Sequence, residues 1–74
     1  MKVLLSSLDA VQDFVESVCV SSSKILVSDG ENTVNGESIT DVLTLHLEKP
    51  VSLNFEGEED IAFLENIDDY IVNE

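Results

Sequence analysis

The side chains in this sequence with usable chemistry are two serines at helix starts, one imidazole, one thiol and a surplus of carboxylates. Ser38 opens a helical stretch within residues 34–47, VNGESITDVLTLHL. A hydroxyl at that position accepts backbone N–H groups that the first turn leaves without partners. The same donors suit a phosphate or a partner contact beside an apolar patch. Ser7, followed by Leu8 and Asp9, stands at the start of an earlier helix, which either Ser7 or Asp9 is placed to cap. His46 is the sole histidine and Cys19 the sole cysteine. A metal site needs several ligands at suitable spacing, and one His with one distant Cys do not supply them, so no metal is expected. As a general base His46 has no nucleophile beside it; near the end of a short helix its imidazole suits the helix dipole. Cys19 is expected on or near the apolar side of the first helix, where a thiol behaves as a small hydrophobe.

Carboxylates offer little more. Asp29, Glu31 and Thr33 alternate as the first ligands of a calcium loop do, but the required Gly and the closing bidentate Glu are out of place. The acidic run over 56–60 reads as a solvated helix start. No glycine-rich phosphate loop is present, and no cofactor is expected.

These groups sit on a chain of 74 residues, 43% hydrophobic, which is too apolar for a disordered acidic tail. One small domain is expected over 1–74, burying only about 60% of the surface its unfolded form exposes. Sixteen Asp and Glu stand against Lys2, Lys24 and Lys49, a formal net charge of −13. Nucleic acid binding requires cations to neutralise phosphates, so it is excluded as a function class, and anionic membrane surfaces with it. A basic protein partner fits, and so does a solvated, self-repelling surface that keeps a small chain soluble and monomeric. One cysteine allows no intrachain disulfide, the usual staple of small secreted chains. The apolar run after Met1 stops at Ser6, too short for a signal core. A cytoplasmic location is expected.

The elements that position these groups follow from periodicity. Residues 2–5 form a short strand. Leu8, Val11, Val15 and Val18, with Phe14 alongside, mark an amphipathic helix that ends at Ser21-Ser22-Ser23. Ile25-Leu26-Val27 forms a strand, Asp29-Gly30 a tight turn, and 31–34 the second arm of a hairpin. The helix opened by Ser38 carries Ile39, Val42, Leu43 and Leu47 and breaks at Lys49-Pro50. Val51, Leu53 and Phe55 alternate with polar residues in a half-buried strand. After Gly57 a last helix runs over 58–72, with Ile61, Leu64 and Ile67 spaced by three. The order is β-α-β-β-α-β-α, which predicts helices covering one face of a small, mostly antiparallel sheet.

The stretch Glu37-Ser38-Ile39-Thr40-Asp41-Val42-Leu43-Thr44-Leu45 resembles the regulatory-serine region of HPr. HPr is the histidine-containing phosphocarrier of the bacterial sugar phosphotransferase system, and its members carry a pattern close to K-S-I-M-G-V-M-S-L there. The strand from Val51 and the helix after Gly57 look like the last strand and helix of that family, so the resemblance covers nearly the whole chain. It implies an α+β fold, an HPr-like open-faced sandwich with a four-stranded, mostly antiparallel sheet covered on one face by three helices. In the family a first strand leads into G-[IL]-H-A-R-P-A, whose His accepts phosphate from enzyme I and passes it on. An ungapped match back from Ser38 places Ser7 at that His, Leu8 at the Ala, Asp9 at the Arg and Ala10 at the Pro.

Both the nucleophile and the phosphate-holding cation are therefore missing. Ser7 is a weak nucleophile without a base, and Asp9 repels a phosphoryl group. His46 maps to the far end of the second helix. The resemblance thus implies a non-enzymatic, HPr-like protein-binding or regulatory module with no catalytic residue. Its implied regulatory phosphosite is Ser38 and its implied partner-binding residues are Leu8, Ile39 and Leu43. Thr40 and Asp41 stand where the family has Met and Gly. The expected partner is a protein, of the phosphotransferase system or regulatory. Two alternatives accompany this reading. One is a phosphocarrier with altered chemistry through Ser7. The other is an acyl-carrier-like protein, since Ser7-Leu8-Asp9 at a helix start matches the serine that bears a phosphopantetheine arm; those proteins are four-helix bundles, at odds with the hairpin and strand predicted here.

Overall fold

Residues 1–72 are described in a computed structural model. Five strands and three α-helices follow one another along the chain: β1 (Lys2–Val3), α1 (Leu8–Val20), β2 (Lys24–Ser28), β3 (Thr33–Asn35), α2 (Ile39–Val42), β4 (Val51–Glu56), α3 (Ile61–Asn66) and β5 (Ile71–Val72), with a 3-10 turn at Asp68–Tyr70 before the last strand. The strands form one antiparallel sheet in the order β3-β2-β4-β1-β5. The fold is α+β with an open sheet.

Alternation along the strands decides which face the helices cover. Val51 and Leu53 are buried while Asn54 and Glu56 are exposed, and Ile25 and Val27 are buried while Lys24 is exposed. Register aligns the buried residues into rows, Val3 opposite Val51 and Val27 opposite Leu53. Against that face pack Val11, Phe14 and Val18 of α1, Val42 of α2 and Phe63 of α3, all in one core. Phe63 stands edge-to-face between Phe14 and Phe55, with ring centroids 5.9 and 5.8 Å away, an arrangement that aromatic quadrupoles favour. On the opposite, open face Lys24 lies across from Glu56, their charged groups 4.0 Å apart. Gly36 lets the hairpin pass close beneath α1, since a Cβ there would lie 3.0 Å from the Ile25 carbonyl oxygen and 3.3 Å from Val18 Cγ2.

The predicted order of elements holds as far as α3, and several bounds differ. The sheet has five strands rather than four. The helix expected over 58–72 spans only Ile61–Asn66, because Asp60 caps it and Ile67, at φ −106° and ψ 12°, takes the chain out of helical geometry. Ile71 and Val72 then pair with Val3 and Lys2, and the Leu4 N–H donates to the Tyr70 carbonyl at 2.8 Å. Pairing the otherwise open edge of β1 outweighs continued helical periodicity. The helix expected to reach Leu47 ends at Val42, where the Thr44 and Leu45 N–H groups turn to carbonyls three residues back and the His46 N–H goes to Asp29 Oδ2 at 3.1 Å. The first strand covers Lys2–Val3 rather than 2–5, and the hairpin's second arm is Thr33–Asn35 rather than 31–34. Cys19, expected near the apolar side of α1, is exposed, its thiol 3.7 Å from the Glu37 carbonyl oxygen. Among the described residues no helix is long and apolar enough to cross a membrane.

Candidate functional site

The start of α1 and the exit of α2 meet at one end of the core and enclose an open groove of about 360 Å³. Its floor is Leu5 and Val11, both buried. Leu8 and Leu43 project beside it, 57% and 48% exposed, and the half-buried Leu47 also lines it. Ser6, Ser7 and Glu48 are the groove's polar lining residues. Leu8 stays on the outer side because it is the first residue of α1, one turn before the positions that reach the sheet. Leu43 is left out by the early end of α2.

Ser7 is the N-cap of α1. Its backbone is extended (φ −142°, ψ 162°), and its Oγ accepts the Ala10 N–H at 3.1 Å. An oxygen so engaged satisfies a helix-end donor. Asp9 lies exposed in the first turn, where a carboxylate suits the dipole and a phosphoryl group would be repelled. Ser38 is the N-cap of α2, half-buried, its Oγ accepting the Asp41 N–H at a longer 3.4 Å. Ile39 packs against the core. The structure therefore brings Ser7, Leu8 and Leu43 to one groove and leaves Ser38 and Ile39 outside its lining. Sequence reasoning missed Leu5, Ser6, Val11, Leu47 and Glu48 as parts of the groove; the signal available for Leu5 and Val11 was their apolar type on either side of the Ser7 cap.

His46 lies beyond α2, with Nδ1 3.7 Å from Glu48 Oε1. That pair sits on the groove's outer rim through Glu48. Asp29, the first of the three residues that alternate like calcium-loop ligands, spends its oxygens on the backbone. Oδ1 accepts the N–H groups of Glu31 at 2.9 Å and Asn32 at 2.8 Å, and Oδ2 accepts that of His46. These bonds, led by Asn32, hold its carboxyl well down, from 3.8 to about 2. Asp29 ties the hairpin turn to the chain leaving α2 and so helps set the position of Leu43 and Leu47.

A second carboxylate works alike at the far end of α1. Asp60 Oδ1 accepts the Phe63 N–H at 3.2 Å, while Oδ2 accepts the Ser21 hydroxyl at 2.8 Å and the Ser22 N–H at 3.2 Å. The Ser21 hydroxyl is the main cause of its lowered pKa. Tyr70 donates to Asp13 Oδ2 at 2.7 Å. That bond, with burial and the charges of Asp13, Asp69 and Asp9, raises the phenol's pKa. Among the described residues no cluster of three or more His, Cys, Asp or Glu is placed to hold a metal ion.

No family model matches this chain, and no curated protein or solved structure was found similar to it.

Proposed function

We propose that the chain is an HPr-like domain that has given up phosphohistidine chemistry and acts as a protein-binding or regulatory module. The observation that carries this reading is the apolar groove flanked by Ser7 and the two projecting leucines, Leu8 and Leu43. The resemblance assigns Ser7 to the phosphoryl acceptor and Leu8 and Leu43 to docking, and the meeting of these three residues supports the reading. Here Ser7 caps a helix and Asp9 carries the wrong charge for a phosphoryl group. The succession β-α-β-β-α-β-α, which the resemblance implies, is followed by the 3-10 turn and β5 as an addition at the β1 edge. The five-stranded sheet weighs against the acyl-carrier alternative, whose fold is a four-helix bundle.

Phosphoryl transfer tests the reading. Incubated with enzyme I and phosphoenolpyruvate, the chain keeps its intact mass. An acid-labile phosphate on His46 would contradict the reading, and an acid-stable one on Ser7 would establish the altered-chemistry alternative. Ser38 belongs to the same proposal as a regulatory phosphosite: a phosphate there would lie at a helix start, with Glu37 and Asp41 as neighbouring charges. Treatment with an HPr kinase and ATP, followed by peptide mass spectrometry, locates it.

A further inference from the structure

We infer that the groove between the start of α1 and the exit of α2 takes a basic amphipathic segment of a partner protein, with apolar side chains seated between Leu8 and Leu43 and cations on the surrounding carboxylates. This rests on the reading of the groove as a docking face and adds the chemistry of its occupant. The shape is apolar: a buried floor of Leu5 and Val11 and two exposed leucines beside it. Apolar surface held open in this way is what a helix laid into a groove covers.

Charge selects among occupants. Glu48 lines the groove, Asp9 follows Leu8 directly, Asp41 is exposed on α2 two residues before Leu43, and Asp13 is exposed one turn further along α1. Against these carboxylates stands Lys49, next to Glu48 in sequence. A second copy of the chain would set −13 against −13, and an acidic or phosphate-rich partner would meet the same repulsion. A basic segment gains attraction over the same ground, with faster encounter and a marked salt dependence.

The test titrates the ¹⁵N-labelled chain with a leucine–lysine peptide of about 14 residues, long enough for an amphipathic helix. A scrambled peptide of the same composition and a leucine–glutamate peptide serve as comparisons. Amide shifts centred on Ser7, Leu8, Leu43 and Leu47 are expected, with affinity that falls as NaCl rises. Leu8→Ser combined with Leu43→Ser, at unchanged charge and with the fold checked by circular dichroism, weakens binding by about tenfold or more, and the scrambled peptide binds more weakly by a similar factor. Shifts spread over the acidic surface, shifts centred on a second groove, which Met1, Ile61, Leu64 and Ile71 line together with Glu65 and Asp68, an unchanged affinity in the double variant, or equal binding of the glutamate peptide would each overturn the inference. Those failures are distinct from failure of the function proposed above, which is read from the phosphoryl state of the wild-type chain.

Discussion

Asp29 shows how a single carboxylate acts on both fold and site. Its oxygens gather three backbone N–H groups, two from the hairpin turn and one from His46, 17 residues away. The folded-state pKa of about 2 lies below the ordinary 3.8, so the unfolded chain binds the proton first as pH falls. The stability Asp29 contributes is therefore complete above its ordinary pKa and is lost as pH drops through the window down to about 2. Urea unfolding of the wild type and of Asp29→Ala should show the variant less stable at pH 7, with the gap closing below about pH 4. A gap that is constant with pH would contradict this account of Asp29. The local part of its role was legible in the sequence, because Asp-Gly at a turn is a strong signal. The bond to His46 was not, because nothing within a few residues of Asp29 announces a partner 17 positions on.

At the scale of elements, strength follows length and cap geometry. Helix α1 has 13 residues and a close cap, with Ser7 Oγ 3.1 Å from the Ala10 nitrogen. Helix α2 has four residues and a cap at 3.4 Å. Ser7→Ala should cost about 1 kcal/mol, and Ser38→Ala clearly less; equal losses in chemical denaturation would show that the two caps are equivalent. Where periodicity was strong, the sequence predicted well: α1 ends at Val20, just before the triple serine, and β4 alternates as read. Prediction failed where tertiary pairing competes with a local pattern. Ile71 and Val72 continue an apolar helical spacing, yet they pair with β1, whose partner Lys2–Val3 stretch lies at the other end of the chain. The exit of α2 failed for a related reason, since Asp29 takes the N–H that a longer helix would have used.

Over the whole molecule, charge is the dominant fact. A net −13 on 74 residues works against compaction. Raising NaCl from about 0.01 M to about 1 M shortens the Debye length from about 30 Å to about 3 Å and should raise the thermal midpoint; a midpoint that stays level or falls would mean that attraction, not repulsion, governs this surface. The groove was half legible. Ser7, Leu8 and Leu43 stood out as residues, and their meeting depends on the packing of α1 against α2, which no local pattern encodes. The proposed history of the site, an HPr-like surface that kept its docking side and lost its phosphoryl acceptor, is open to a direct measurement. The double substitution Ser7→His with Asp9→Arg restores the imidazole and the cation at the positions the resemblance assigns them, at a cost of about 1 kcal/mol for the lost cap. Incubated with enzyme I and phosphoenolpyruvate, the double variant should gain one acid-labile phosphate at position 7 while the wild type gains none. A folded double variant that stays unphosphorylated, or a wild type that accepts the phosphate, would contradict the account.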